Sequence, residues 1–365
     1  GEDIRAVDIP MLSGDTRKDT IAAIGKIPAR IDVPEFNGSG IPLLFDGKQW
    51  HTLDLYRDGH WGIFGTTGSG KGNILQLIAL RALMMGPDHV HLTILDGKGG
   101  LDYAFALDID HAALYYGEGL AGGCIDIVEE MKRRNRLLMQ ARKRNTREYN
   151  ASVPEHDRIP LQVVIADELL AFDDKSKEKL ELFASQCRAM GGVLIVATQY
   201  PTVETIPSQV QANVTNRVTG RLVTSEHSRV ALKRTKADNP RYEPSMIPQD
   251  KPGIMVVRRD SGNEILGRSP ELTTALTDSW ITSLASQYPK GSGSPEKPAQ
   301  KATEAITTGP LTDEEKQYIN DLLDEELSRR EIAKRVYKRR GGINSAYTGD
   351  GPLSVLIKKY LDDSP

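Results

Sequence analysis

Short, mainly apolar runs punctuate the first two hundred positions, at 41–45, 61–64, 90–95, 161–166 and 193–197, broken only by His91, Thr93 and Gln162 among polar residues. A run of this length, apolar on successive residues rather than alternate ones, marks a strand buried on both faces of a parallel sheet. A further strand-like stretch lies at 51–55. Between the runs, longer amphipathic stretches at 73–85, 122–148 and 175–190 read as helices. Strands alternating with helices predict an α/β fold with a mostly parallel central sheet. Residues 1–36 are weakly patterned, with room for a small helix around 21–27.

The pattern breaks at 289–310. That stretch is rich in Gly, Ser, Pro and Lys, the composition of a flexible linker. Beyond it, 311–365 reads as a separate small unit of three helices. Thr312 with Glu315 forms a capping box, Ile332, Ala333 and Val336 recur at helical spacing, and Gly341-Gly342 stops the second helix. Size, spacing and the basic run from Ser328 to Arg340 fit a helix-turn-helix or winged-helix DNA-binding module. The expected domains are therefore an N-terminal segment (1–36), an α/β domain (37–288), a linker (289–310) and the small module (311–365).

Chemistry enters at the turn after the strand at 61–64. Gly65-Thr66-Thr67-Gly68-Ser69-Gly70-Lys71 fits G-x-x-x-x-G-K between a strand and a helix, the context a phosphate-binding loop requires. Its glycines let backbone N–H groups turn inward around phosphates, and the helix N-terminus adds a positive dipole end. Lys71 is expected to reach the β- and γ-phosphates of ATP. Residues 65–73, including Gly72 and Asn73, are the expected nucleotide-binding set. The position after the lysine ordinarily carries a Ser or Thr hydroxyl for Mg²⁺, and here it is Gly72. Either Mg²⁺ is held without that ligand, or hydrolysis is weak, or the residue was changed to trap one state.

A second site closes the strand at 161–166. An apolar strand ending in Asp167-Glu168 suits Asp167 to the Mg²⁺ shell and Glu168 to polarising the attacking water. A third follows the strand at 193–197, where Gln199 is placed to sense the γ-phosphate.

Taken together, residues 65–71, Asp96-Gly97-Lys98, Glu130 to Arg134, Arg147 to Asn150, Asp167-Glu168 and Ala197 to Pro201 resemble the motor domain of FtsK/SpoIIIE-type DNA translocases. The likeness continues through Ala212-Asn213 to Arg217 and from Ser225 to Arg229, spanning roughly 40–270. It implies a RecA-like core, a hexameric ring, double-stranded DNA in the pore and ATP hydrolysis at subunit boundaries. A winged helix often follows the motor in that family. In such a ring a neighbouring subunit supplies a cation to the transition state, and Arg217 and Arg229 rank ahead of Arg188 for that role. The chain departs from the family pattern at Gly72, at Gly97 (commonly Pro) and at Tyr200 (commonly Arg), which suggests a divergent, mobile-element member.

Net charge is −3, so any nucleic-acid site is a local patch rather than a whole-chain field. Loops 98–100 and 173–177 are the expected DNA contacts. The basic run from Lys132 to Arg147 reads equally as a solvated helix face or a DNA contact. Cys124 and Cys187 are isolated and fit reduced core thiols in a cytoplasmic protein. No run of about 18 apolar residues is present. The chain opens on Gly1 rather than Met, which leaves open an anchor upstream. Three activities remain compatible with these sites: a DNA translocase, a plasmid or phage helicase or initiator, and a nucleotide-gated DNA-binding platform with weak turnover.

Overall fold

A computed structural model describes residues 16–35, 40–235, 238 and 240–290, and beyond them only Lys316, Tyr318, Ile319 and Val336, which are helical. The chain divides into two compact units, Gly1–Lys290 and Gly291–Pro365. The expected linker and winged-helix module otherwise lie outside the described residues, as do residues 1–15.

In chain order the first unit runs α1 (Thr16–Ile24), β1 (Ile41–Phe45), β2 (Trp50–Leu53), β3 (Trp61–Phe64), α2 (Lys71–Leu83), β4 (Val90–Asp96), β5 (Ala112–Tyr116) and α3 (Leu120–Gln140). It continues α4 (Thr146–Asn150), β6 (Leu161–Asp167), α5 (Asp174–Gln186), β7 (Gly192–Thr198), α6 (Ser208–Asn213), β8 (Asn216–Thr219) and α7 (Ser225–Ala231). It ends with β9 (Ile254–Arg258), β10 (Glu264–Arg268) and α8 (Thr274–Gln287). The ten strands form one sheet in the order β2-β1-β10-β9-β8-β3-β7-β6-β4-β5. From β8 to β5 neighbouring strands are parallel. From β8 outward through β9, β10, β1 and β2 they are antiparallel.

The mainly apolar runs have a direct cause. Ile63, Ile165, Ile195 and Ala197 pack into a core with α2 and Leu284 of α8. Their chain neighbours Phe64, Val164, Ala166, Leu194 and Val196 point to the opposite face, into a second core with α3 and α5. Each such buried aliphatic contributes roughly 1.5–3 kcal/mol, and only a strand covered on both faces collects that from every residue.

Differences from the sequence expectation have local reasons. The helix expected over 122–148 ends at Gln140, because Arg142 adopts a left-handed φ of 55° and Lys143 N–H turns back to Leu138 O at 2.9 Å. Asn145 then starts a separate helix, its side chain accepting from Glu148 N–H at 2.9 Å. The helix expected around 21–27 lies earlier, at α1, and closes before Gly25. Strands β5, β8, β9 and β10 and helix α8 were not expected; β8, β10 and α8 are short or mixed in polarity, whereas β9 carries a four-residue apolar run, Ile254 to Val257, like those of the central strands. Among the described residues no helix is long and apolar enough to cross a membrane.

Candidate functional site

Strand β3 sits between β7 and β8, so its carboxyl end opens onto the ends of both. The turn that follows it is the glycine loop. Gly65 has φ 153°, and a Cβ there would stand 2.4 Å from Ser69 Oγ, so only glycine lets the chain fold back this tightly. Thr66 donates its N–H (2.9 Å) and hydroxyl (3.2 Å) to Arg221 O, and Gly253 N–H donates to Ser69 O at 2.9 Å. The back of the loop is thereby pinned to β8 and β9. Its front is open: the first N–H groups of α2 have no intrahelical acceptor and face a cavity. Thr66, Thr67, Gly68, Gly70, Lys71, Gly72 and Asn73 line that cavity with Lys98 and Gln199, enclosing about 290 Å³.

The register of the sheet brings the other motifs to the same edge. Asp96 of β4 lies opposite Asp167 of β6, and Asp167 opposite Ala197 of β7. Lys71, 4% exposed, donates from Nζ to Asp167 Oδ1. Burial pushes the Lys71 ammonium below its usual pKa, and the Asp167 charge partly restores it. Asp167 Oδ2 accepts from the Tyr103 hydroxyl at 3.1 Å. Burial, reinforced by Asp167, raises the Tyr103 phenol well above its usual pKa, so it is a fixed donor.

Glu168 sits in the left-handed region at φ 60°, uncommon for a side chain with a Cβ. Its Oε1 accepts from Thr198 Oγ1 (3.0 Å) and Gln199 N–H (3.4 Å). Its Oε2 is buried without a hydrogen bond. Gln199 Oε1 accepts from the Thr67 hydroxyl at 2.8 Å, joining the glycine loop to the β7 end. Lys71 and Gln199, 128 positions apart in sequence, thus line one cavity, and Asp167 and Glu168 stand directly behind them, bonded to Lys71 and to Gln199 N–H.

The remaining expectations divide. Asn73 lines the cavity, but its side-chain amide is turned to Pro270 O and Leu272 N–H, both at 2.8 Å, and holds the strand leading to α8. Ser69 Oγ is buried without a partner. Gly72 is exposed, and a Cβ there meets nothing within 4 Å, so no steric reason excludes a serine. Arg217 is a correction. It is 1% exposed, and its guanidinium donates to Val214 O, Val230 O, Ala231 O and Gln211 O within its own subunit. Burial lowers its pKa to about 10. It ties β8 to α6 and α7 and has no free edge to offer a neighbour. Arg229 and Arg188 are exposed.

Of the loops expected to meet DNA, Lys98 instead lines the cavity. Asp173 caps α5 through Ser176 N–H at 2.7 Å. In the basic run, Lys132, Arg133 and Arg144 pair with Glu129, Glu130 and Glu148. Arg134 is buried and braces Pro160 O and Met190 O. Tyr103 was not marked by the sequence; nothing in its local pattern distinguishes it from a core aromatic.

The residues present fit a nucleoside triphosphate. The cavity has a lysine, open helix N–H groups and a left-handed glycine loop. Mg²⁺ is usually held by one or two carboxylates together with phosphate oxygens, and Asp167 supplies such a carboxylate beside Lys71.

Residues 25–238 match the FtsK/SpoIIIE family, more than half of the chain. The chain belongs to the FtsK/SpoIIIE family. It is 31% identical over 196 residues to the DNA translocase FtsK of Campylobacter jejuni, covering 51% of this chain and 21% of that protein. It is 30% identical over 177 residues to the DNA translocase SftA of Bacillus subtilis, covering 46% and 18%. The chain therefore spans about a fifth of the length of these curated relatives. Among solved structures, the pCW3 conjugation coupling protein TcpA, solved with ATPγS, aligns with TM-score 0.58 at 22% identity, over 71% of this chain and 75% of that one. The cytoplasmic domain of the type VII secretion ATPase EccC of Thermomonospora curvata aligns with TM-score 0.59 at 20% identity, over 71% and 32%. These likenesses show the P-loop ATPase fold.

One departure from the FtsK/SpoIIIE pattern has a structural account. Gly97 donates its N–H to Asp167 O at 3.0 Å, and a Cβ there would stand 2.7 Å from Glu168 O. A proline at 97 lacks that donor. Tyr200 is exposed and stands edge-on to His227, ring centroids 6.5 Å apart.

Proposed function

We propose that this FtsK/SpoIIIE-family chain is an ATP-driven translocase of double-stranded DNA. It acts as a hexameric ring, with the C-terminal segment as a tethered DNA-recognition module. The observation that carries the reading is a cavity lined by Lys71 and Gln199, with Asp167 bonded to the first and Glu168 to the backbone of the second. The relatives named as DNA translocases support DNA as the track.

In this reading ATP enters between the glycine loop and Lys98. Lys71 exchanges Asp167 for the β- and γ-phosphates, joining the α2 N–H groups there. Asp167, freed from Lys71 and still oriented by Tyr103, is left to hold Mg²⁺. When bound, the metal neutralises phosphate charge. Glu168 orients and deprotonates the attacking water, and Thr198 with Gln199 fixes its carboxylate. Gln199, tied to Thr67, reports on the γ-phosphate. The cation from the neighbouring subunit falls to Arg229, on the exposed side of α7.

The test is steady-state ATPase activity of the purified protein with and without long duplex DNA at low salt. Turnover rises with duplex DNA and the rise fades as salt is added, as for sequence-independent phosphate contacts. An absence of both DNA binding and stimulation sinks the reading. Forked substrates separate translocation from strand separation: the duplex arms stay paired if the protein is a translocase.

Gly72 favours a second reading, a nucleotide-gated DNA-binding platform. The hydroxyl that normally contacts Mg²⁺ is missing although the space for it is open. ATP binding with little turnover supports the platform, and a large gain in turnover in Gly72→Ser marks the chain as a crippled motor. Robust turnover in the original with no gain shows that the hydroxyl is dispensable.

A further inference from the structure

Lys98 lies in the turn after β4, between Gly97 and the Gly99-Gly100 pair. That turn is held rigidly from below. The Asp96 carboxylate accepts from Lys98 N–H at 3.0 Å and from Gly100 N–H at 2.6 Å, and Gly97 N–H binds Asp167 O. The backbone is fixed, so the side chain has a defined reach. It runs into the nucleotide cavity, opposite the glycine loop. Its Nζ stands 3.9 Å from Asp167 Oδ2 and 3.9 Å from Glu168 Oε2.

At 3.9 Å neither contact is a hydrogen bond. Lys98 is held by charge alone, and redirecting it breaks no bond. Glu168 Oε2, one of the two oxygens it faces, is buried without a hydrogen bond. Lys71 is differently placed, with its ammonium committed to Asp167 at the loop side. The cavity therefore has one cation at the loop end and a second, uncommitted one at the end where Glu168 stands.

From this geometry we propose that Lys98 is a catalytic residue of the nucleotide site, a cation supplied by the same subunit that touches the terminal phosphate of a bound nucleoside triphosphate. The proposal rests on the nucleotide-site reading above and deepens it. Glu168 acts on a water beside the terminal phosphate, so a cation within 3.9 Å of its free oxygen stands next to that phosphate. A triphosphate also brings negative charge into a cavity that already holds two carboxylates. Lys71 offsets part of it, and Lys98 offsets the part that lies beyond Lys71's reach. A diphosphate has no group at that position, so Lys98 discriminates between the two nucleotides.

The test measures equilibrium affinity of the full chain for ATPγS and for ADP, with turnover and duplex-DNA affinity measured alongside. A charge-assisted contact is worth enough to change affinity roughly 10- to 100-fold. Lys98→Met is expected to lose about tenfold or more in ATPγS affinity while ADP affinity stays within about twofold. Lys98→Arg, which keeps the charge, is expected to recover most of the preference. The side chain is 35% exposed, so both variants keep the fold, and the thermal midpoint verifies it. An unchanged ATPγS-to-ADP preference in Lys98→Met overturns the proposal. If duplex-DNA affinity falls in that same variant, Lys98 is a DNA contact instead. Wild-type protein that binds neither nucleotide overturns the nucleotide-site reading itself, and the role of Lys98 with it.

Discussion

At the scale of single residues, sequence motifs separate function from structure only in part. Arg217 and Arg229 lie twelve positions apart and look alike as sequence. The fold buries the first among four backbone carbonyls and leaves the second exposed. Burial decides, because a guanidinium satisfied by carbonyls of its own subunit cannot reach a neighbour. His60 shows the same effect in another residue type. It is 1% exposed, its Nδ1 accepts from Leu194 N–H and its Nε2 donates to Ala184 O, each at 3.0 Å. A second proton on Nδ1 would break the bond to Leu194. Burial, with Arg188 nearby, lowers the His60 pKa from 6.5 to about 4. The folded state therefore binds fewer protons than the unfolded one between those values. Stability from this residue is full above pH 6.5 and is lost as pH falls toward 4, about 3 kcal/mol in all. The check is the denaturant midpoint from pH 7 to pH 4.5. Wild type should fall more steeply than His60→Gln, and parallel slopes would refute the assignment.

At the scale of elements, the central strands were legible because each is covered on both faces, which keeps most positions apolar; β4, with His91 exposed, is the least complete case. Helices α2 and α5 were legible from their patterns, expected at 73–85 and 175–190 and found at Lys71–Leu83 and Asp174–Gln186. The end of α3 was missed because the basic residues after Gln140 continue a plausible helical pattern. The break lies in a left-handed Arg142, and only the Asn145 cap marks it in sequence. Strands β8, β9 and β10 were not marked; β9 and β10 form an antiparallel hairpin with each other, and the pairings that join it to the sheet, to β8 and β1, are the ones local sequence does not show. Within α2, Gly72 occupies the first turn in ordinary helical space. Gly72→Ala adds a Cβ that touches nothing within 4 Å and removes backbone freedom from the unfolded chain. It is expected to stabilise the protein by up to about 1 kcal/mol, read as a rise in the denaturant midpoint with an unchanged slope. A fall in the midpoint would mean that the loop needs glycine there for a reason other than space.

At the scale of the whole molecule, the site exists because β3 has β7 on one side and β8 on the other. That arrangement opens a crevice at the carboxyl ends of the strands, where α/β sheets bind ligands. The glycine loop fills it from β3, Asp167 and Glu168 arrive from β6, Gln199 from β7, and Lys98 and Tyr103 from the segment after β4. In the proposed ring, the cation completing this site is a neighbour's Arg229. Native mass in the presence of ATP and duplex DNA is expected to show six copies. A species that stays monomeric under those conditions, while hydrolysing ATP at full rate, would exclude a neighbour's cation from the reaction.

The sequence by itself determined the glycine loop, the Asp167-Glu168 pair, the α/β class and the family. These are carried by adjacent residues or by local apolar runs, and chain neighbours need no fold to be compared. Only the tertiary structure decided which distant groups share the cavity. It brought Tyr103 and Lys98 to the carboxylates, turned the Asn73 side chain away and buried Arg217. The physical reason is register: sheet pairing aligns Asp96 with Asp167 and Asp167 with Ala197, and that alignment appears in no single stretch of the chain.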